Sequence, residues 1–298
     1  MKTFVATLAL AAVTAGMICT IKPAMAAPKM ACERPQRLRF SFVPQGRDID
    51  QQSAFGPLVE ELRARLKMPV DVIVPTSYGG VIEGLIAGAI DVARLGPASY
   101  VTARKGDPQI TPFASMEQVE PNFAAQGGVS SVYYSLLVTR QQGPYDSVAS
   151  LKGRVLALAD PDSTSGALIP RHLFARQYKL QFDQYFSRIG YSGNHEKSVM
   201  AVLNHNADAA FVASTNLSRM ISDGQLKKSD VRVLWRSGPI PFDPFVYRGQ
   251  LCADIRNKIR EVFLDKNALR VKLSLDNLRA THFVPVRDAD YQIIRALP

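Results

Sequence analysis

The chain has 298 residues, with 36 Lys and Arg against 26 Asp and Glu and a formal net charge of +10. The basic residues are spread along the sequence, without a run of five like charges or a basic patch interleaved with aromatic residues. This pattern predicts a solvated basic surface that attracts anions, and it excludes nucleic acid as an expected partner. The length is too great for one small core and suits two lobes of about 100 to 150 residues each.

The amino terminus has the pattern of a secretory signal peptide. Lys2 precedes an apolar run from Phe4 to Ile18, and Ala24-Met25-Ala26 is a small-x-small cleavage site. The run falls short of the ~20 residues that a membrane-spanning helix needs. Cys19 follows isoleucine instead of a small residue, which argues against lipid attachment. We expect residues 1–26 to be removed and the mature protein to be periplasmic.

Cys32 and Cys252 remain after that cleavage. In an exported chain they can form one disulfide, and two unpaired thiols are the alternative. Their spacing fits no metal site, and we expect neither a metal nor a cofactor.

Strand-like runs alternate with helical patterns, which is typical of an α/β fold whose sheets are flanked by helices. Strands are predicted at 38–43, 70–74, 90–95, 131–138, 154–158, 209–213 and 231–235. Helices are predicted at 55–66, 78–89, from 97, from about 165, from about 196, and at 215–222, 254–263 and about 267–278. The pattern restarts near residue 154, so we expect a second lobe inserted in the first. We assign 27–135 and 238–298 to lobe 1, with the tail at 283–294 packed on it, and 136–237 to lobe 2.

Motifs for catalysis are missing from the sequence. It contains no Gly-x-Ser-x-Gly elbow, phosphate loop, His-Glu-x-x-His or dinucleotide fingerprint. Its four histidines, His172, His195, His205 and His282, are widely separated. We therefore expect a protein that is not an enzyme and has no catalytic residues.

Three hydroxyl side chains follow one another where a helix is predicted to begin. Ser163, Thr164 and Ser165 stand between an apolar strand and an apolar helix, and Gly166 follows them. The first N–H groups of a helix lack internal acceptors and carry partial positive charge, so they stabilise an anion. Ordinary capping needs one hydroxyl and remains the alternative.

Other strand-to-helix turns carry polar side chains that could face the same crevice. Tyr78 lies in one of them, although a half-buried core tyrosine would show the same pattern. Gly96-Pro97 opens another helix, and His195 precedes a third, where it could donate to an oxyanion or lie on the surface.

Arg94 is a charged residue in a strand that should be buried, so it needs a partner. It either reaches the crevice or pairs with an acidic neighbour.

Five segments, in order, resemble the phosphate/phosphite/phosphonate-binding proteins of ABC importers. They are Tyr78-Gly-Gly-Val-Ile-Glu-Gly84, Asp91 to Val101 with Leu-Gly-Pro at its centre, Asp160-Pro-Asp-Ser-Thr-Ser-Gly166, Asn194-His195 with Ala201-Val202, and Phe283 to Tyr291. The resemblance extends over nearly the whole mature chain.

The resemblance implies a two-lobed periplasmic binding protein fold of type II, each lobe a sheet flanked by helices, with a hinge between them. It also implies closure over a small phosphorus oxyanion, of the phosphonate or phosphite class, for delivery to an ABC permease with its ATPase. We expect a monomer. The implied ligand-binding residues are Tyr78, Tyr133, Ser163, Thr164, Ser165 and His195.

Two positions depart from the family pattern. Family members that bind aminoalkylphosphonates hold the ammonium group with two carboxylates. Asp243 matches one of them, but Thr215 stands at the other, which argues against an aminoalkyl substrate. Arg94 occupies a position that is usually apolar or aromatic, and an additional cation near the cleft would favour a more highly charged anion.

A second interpretation keeps the fold but changes the role. The chain would then present a phosphorus or arsenic oxyanion to a membrane sensor kinase. Binding of trivalent arsenic would require a thiolate in the pocket, and neither Cys32 nor Cys252 lies in a predicted cleft turn. A phosphoester hydrolase is a third interpretation, and it lacks clusters of metal ligands.

Overall fold

The computed structural model describes residues 32–46, 48–119, 123 and 129–297. The predicted signal peptide at 1–26 and Cys19 lie outside these residues. None of the helices in the described ranges is both long enough and apolar enough to cross a lipid bilayer.

The first sheet is built from both ends of the described chain. Its order is β14-β4-β13-β3-β1-β2, with a short strand β5 on β4. The pairs β1–β2 and β1–β3 are parallel, while β13 runs antiparallel to β3 and β4. The strands are β1 Leu38–Phe42, β2 Val70–Ile73, β3 Val92–Arg94, β4 Thr111–Val119, β5 Val129–Ser130, β13 Phe245–Tyr247 and β14 Ala280–Pro285. The helices of these chain segments are α1 Asp48–Leu66, α2 Tyr78–Ile86, α3 Pro97–Gly106, α8 Ala253–Leu264, α9 Leu269–Asn277 and α10 Gln292–Arg295.

The second sheet comes from the middle of the chain and has the order β11-β7-β10-β8-β9. Its strands are β7 Ser135–Arg140, β8 Val155–Leu158, β9 Arg188–Tyr191, β10 Ala209–Ala213 and β11 Val231–Arg236. The helices of this part of the chain are α4 Ala175–Gln177, α5 Phe182–Tyr185, α6 His195–Leu203 and α7 Ser214–Ser222.

Between β8 and α4 the chain forms two wide turns with i to i+5 hydrogen bonds, at Thr164–Leu168 and Pro170–Phe174. Such wide turns are rare and often occur at functional sites.

Two short strands lie where the chain passes between the sheets. They are β6 Val132–Tyr133 and β12 Ile240–Pro241, and they pair antiparallel, with Tyr133 opposite Ile240. The amide of Phe242 also donates to the carbonyl of Ser131 at 2.9 Å. The two crossings are therefore joined to each other by backbone hydrogen bonds.

Most predicted strands and helices are present, with ends shifted by a few residues. The run predicted as one strand at 131–138 is two strands, because the Tyr134 amide leaves the ladder and donates to Ser214 Oγ at 3.0 Å. The strands β4, β5, β9, β12, β13 and β14 were not predicted. The sequence of β4 (TPFASMEQV) mixes proline, small and polar residues, so its local β propensity is low. Hydrogen bonding to β13 and β14 stabilises the strand instead.

Aromatic side chains form the core between the first sheet and its helices. Phe40 and Phe55 pack edge to face with centroids 5.2 Å apart, and Phe245 and Phe263 lie 4.8 Å apart. All four side chains are almost completely buried. Burying several such rings is the main favourable contribution to holding α1 and α8 on the sheet.

A disulfide joins Cys32 to Cys252, which are 220 residues apart in sequence. Beside it Glu33 pairs with Leu251 in a single parallel bridge. The bond fixes the beginning of the described chain to the start of α8.

Candidate functional site

A small cavity lies where strands of both sheets end and helices begin. It is lined by Gln45, Tyr78, Arg94, Gly96, Tyr133, Ser163, Thr164, His195, Ala213, Thr215, Asn216, Phe242 and Asp243. The structure therefore brings together all the predicted site residues except Ser165. The space available to the centre of a water-sized group is only about 10 Å³. This space suits one compact tetrahedral group and little more.

The hydroxyl of Ser163 both caps the following turn and faces the cavity. Its Oγ accepts from the amide of Gly166 at 3.1 Å, so its hydrogen remains available for donation. A Cβ at Gly166 would lie 2.5 Å from the Cβ of Ala159 and 3.0 Å from the Cε1 of His195. Glycine is needed here because His195 and the preceding strand pack directly against the turn.

Thr164 connects the two sheet regions at the cavity. Its Oγ1 accepts from the amide of Ala98, at the beginning of α3, at 2.8 Å. The hydroxyl hydrogen of Thr164 can therefore point to an acceptor in the cavity. One side chain thus supplies a donor for a ligand and a bond between the two halves of the site.

Ser165 does not line the cavity, although its side chain is buried. Its carbonyl accepts from the Ser135 hydroxyl at 2.6 Å, which attaches the turn to β7. Among the described residues, Ser165 Oγ and Arg94 Nε are the buried side-chain polar atoms that have no hydrogen-bond partner. The sequence alone gave no means of separating the roles of the three hydroxyls.

His195 is a neutral hydrogen-bond donor at the cavity. Its Nδ1 accepts from the Ala213 amide at 3.2 Å, so the proton of the neutral ring is on Nε2, 3.4 Å from Ser163 Oγ. Burial, and to a smaller extent the nearby charge of Arg219, lower the pKa of His195 to about 3. The ring can therefore donate to an oxyanion at neutral pH without carrying a charge.

Tyr78 and Tyr133 bring phenolic hydroxyls to the same cavity. Burial raises the pKa of Tyr78 far above its ordinary value, and the charges of Asp243 and Asp160 raise it further. Burial and the charge of Asp243 likewise raise the pKa of Tyr133. Both hydroxyls stay protonated and can act as donors.

Arg94 lines the cavity and also pairs with an acidic neighbour, so both alternatives that the sequence left open are realised. Its Nη2 lies 3.0 Å from Oδ2 of Asp243, and the two side chains are 8% and 5% exposed. Gln45 Nε2 donates to the same oxygen at 2.6 Å. Burial raises the pKa of Asp243, while Arg94 and Gln45 oppose that rise. The carboxylate already has its charge partner within the protein.

Sequence reasoning missed Gln45 and Asn216, which also line the cavity. Asn216 Nδ2 donates to the carbonyl of Gln45 at 2.9 Å, so these two residues connect the two sheet regions. Gln45 follows the carboxyl end of β1 and Asn216 follows that of β10. Ligands of α/β folds bind at such strand ends, and this rule could have identified both residues.

No group of three His, Cys, Asp or Glu side chains that could hold a metal ion occurs in the described parts of the chain. Cys32 and Cys252 are bonded to each other, and neither lines the cavity.

Two sheets flanked by helices, with a polar cavity at their strand ends, define a periplasmic binding protein of the type II fold. The family model described as "ABC transporter, phosphonate, periplasmic substrate-binding protein" matches residues 40–291. The chain therefore belongs to this family, whose members are periplasmic substrate-binding components and not enzymes.

Individual relatives agree with this assignment. The chain is 27% identical over 274 residues to the phosphonates-binding periplasmic protein of Escherichia coli, covering 87% of this chain and 78% of that protein. It is 26% identical over 278 residues to the phosphate-import protein PhnD of Mycolicibacterium smegmatis, covering 88% of this chain and 84% of that protein. A solved binding protein component of an ABC phosphonate transporter from Pseudomonas aeruginosa is similar with a TM-score of 0.77 and 25% identity, covering 87% of this chain and 84% of that one.

Proposed function

We propose that the protein captures a tetrahedral phosphorus oxyanion, of the phosphonate or phosphite class, that carries no ammonium group. The observation that carries the proposal is the set of donors around a cavity the size of one such group. Tyr78, Tyr133, Ser163, Thr164 and the Nε2–H of His195 supply neutral donors, and Arg94 supplies a cation. Hydrogen bonds from such groups to an anion are stronger than hydrogen bonds between neutral groups.

The ion pair between Arg94 and Asp243 supports the exclusion of aminoalkyl substrates. A ligand ammonium group would have to compete with a guanidinium for the carboxylate. Thr215, on the same cavity wall, has no charge to replace it. An ammonium group would therefore lose its hydration without gaining a charge partner.

Closure of two lobes is the mechanism that we propose for capture. Residues 27–135 and 238–298 would form one lobe and 136–237 the other, with β6 and β12 in the hinge. Hydrogen bonds across the cavity support this division: Thr164 accepts from Ala98, Ser99 Oγ donates to the carbonyl of Asp162 at 2.9 Å, and Asn216 donates to Gln45. A ligand that contacts both lobes binds the closed state better and shifts the population towards it.

In the cell, residues 1–26 would direct export and be cleaved, and the monomeric protein would deliver its ligand to an ABC permease with its ATPase. Transport is favoured over sensing of trivalent arsenic through a pocket thiolate, because Cys32 and Cys252 are joined to each other outside the cavity.

Titration calorimetry with methylphosphonate, phosphite, inorganic phosphate, ethylphosphonate and 2-aminoethylphosphonate tests the proposal. We expect at least one of the first three to bind, and 2-aminoethylphosphonate to bind no more tightly than ethylphosphonate. Absence of heat with every ligand would contradict oxyanion capture. A tenfold preference for the amine would contradict only the proposed selectivity.

Replacing Arg94 with methionine sharpens this test. The variant Arg94→Met keeps a long side chain but removes the cation, so we expect methylphosphonate affinity to fall by more than tenfold and the relative affinity for the amine to rise. Arg37→Met is the matched control, since Arg37 pairs with Asp71 in an exposed ion pair and does not line the cavity. The control should bind like the wild type.

A further inference from the structure

A second, larger cavity adjoins the first. The space available to the centre of a water-sized group is about 390 Å³ in this cavity, against about 10 Å³ in the first. Both cavities have Gln45, Arg94, Thr215 and Asn216 in their walls. The two cavities therefore adjoin along this shared wall.

The small volume of the first cavity limits what it can hold. A phosphoryl head group fills it, so an organic substituent on that group has to lie outside. A substituent that extends from the first cavity into the second would pass Thr215 and Asn216 in the shared wall. Thr215 is also the position at which the second carboxylate of the ammonium clamp is missing, so the wall is neutral at the point where the substituent would pass.

The chemistry of the second cavity favours a neutral substituent rich in hydroxyls. Its walls contain six carboxamide side chains, Gln45, Gln51, Gln118, Asn216, Gln225 and Asn277. A carboxamide offers both donors and acceptors, which match hydroxyl groups that also do both. Five charged residues line this cavity: Arg94, Glu196, Arg219, Asp223 and Arg279. Arg279 pairs with Asp223, Arg94 pairs with Asp243 of the first cavity, and Glu196 and Arg219 also have partners within the protein.

We propose that the second cavity is a subsite for the organic substituent of the ligand, and that the substrate class is a phosphoryl compound with a neutral, polyhydroxylated chain. This proposal rests on the proposed function, because the phosphoryl head group has to occupy the first cavity. It predicts that the protein distinguishes ligands by groups that lie beyond the oxyanion itself.

Calorimetry on the purified protein with three matched phosphonates tests the subsite. They are methylphosphonate, which fills only the first cavity, propylphosphonate, and 2,3-dihydroxypropylphosphonate. We expect the dihydroxypropyl compound to bind at least tenfold more tightly than methylphosphonate and more tightly than propylphosphonate. sn-Glycerol 3-phosphate is the corresponding phosphate ester. If it also binds at least tenfold more tightly than methylphosphonate, the substrate class includes phosphate monoesters.

A variant that fills the second cavity provides an independent measurement. Ser222 is exposed at the end of α7 and lines the second cavity but not the first. Ser222→Trp should abolish the gain for the dihydroxypropyl compound while methylphosphonate affinity changes by less than twofold. Ser229→Trp is the matched control, because Ser229 is exposed and lines neither cavity.

The outcomes separate the two proposals. If the short oxyanions bind and the dihydroxypropyl compound binds no more tightly than methylphosphonate, the subsite is refuted and the proposed function stands. An undiminished gain in Ser222→Trp would also refute the subsite. Lack of binding by all the phosphonates, phosphite and phosphate would overturn both.

Discussion

Two serine-capped turns in this protein use the same local geometry in different surroundings. Ser77 Oγ accepts from the amide of Gly80 at 3.1 Å, and Ser163 Oγ accepts from the amide of Gly166 at the same distance. Ser77 is partly exposed at the beginning of α2, while the side chain of Ser163 is buried beside His195. Only Ser163 lines the cavity.

The comparison shows that a cap and a ligand contact are not alternatives. One lone pair of a serine oxygen satisfies the backbone amide, and the hydroxyl hydrogen remains for another acceptor. At an exposed turn the hydroxyl hydrogen donates to water, and at a turn buried beside a cavity it can donate to a ligand. A buried turn with an additional hydroxyl at Thr164 can bind an anion, whereas the exposed turn stabilises only its own helix.

Removal of the Thr164 hydroxyl should give the largest effect on binding. Thr164→Ala removes a hydrogen bond to a charged group, at a cost of about 1.5 to 3 kcal/mol of binding free energy. It also removes the acceptor of the buried Ala98 amide, so we expect a loss of about 1 to 3 kcal/mol of folding stability. Calorimetry with methylphosphonate measures it. Thr164→Ser keeps the hydroxyl and should retain most of the affinity. Equal affinity of the wild type and the alanine variant would show that the hydroxyl serves only to join the two halves of the site.

The pH dependence of stability should reveal the buried, neutral state of His195. The folded-state pKa is about 3, below the ordinary value of 6.5, so the unfolded chain binds the proton more strongly between these pH values. The contribution of His195 to stability is fully present above pH 6.5. It is lost as the pH falls through this window, with a slope that approaches about 1.4 kcal/mol per pH unit.

Urea unfolding at pH 6.5 and pH 5.0 measures this loss, and His195→Gln is the reference that retains all other titrating groups. We expect the wild type to lose more stability than the variant over this interval. Parallel losses would mean that the imidazole is accessible to protons in the folded protein.

The smallest effect is expected at the exposed cap. Ser77→Ala should lower the free energy of unfolding by about 1 kcal/mol, the usual cost of losing a cap, and change oxyanion affinity by less than twofold. Ser163→Ala should lower stability by a similar amount but also weaken binding. Thermal unfolding and calorimetry on both variants test the difference. Equal affinities for the two variants would remove the distinction between the turns.

Local patterns predicted much of the fold. The strands at 38–42, 70–73 and 209–213 and the helices α2, α6 and α7 follow from apolar periodicity. In the structure Ser77 and Asn194 cap α2 and α6. The strand β4 could not be predicted in this way. Its stability depends on partners from the carboxyl-terminal part of the chain, β13 and β14.

The candidate site was predicted in part. Tyr78, Ser163, Thr164 and His195 stand at strand-to-helix turns, where the sequence indicates ligand binding, and the family resemblance added Tyr133 and Asp243. The partner of Arg94, the Nε2–H tautomer of His195 and the absence of Ser165 from the cavity lining could not be deduced. Each depends on a residue distant in sequence or on the direction of a side chain.

The sequence alone determined the alternation of strands and helices, the caps and the supply of donors at the turns, because these depend on neighbouring residues. The tertiary structure decided which donors share a cavity, that Asp243 is neutralised by Arg94, and that a second cavity lies beyond Thr215. Electrostatic pairing and cavity shape arise only when segments far apart in the chain pack together. That packing sets the charge and size of ligand that the protein can hold.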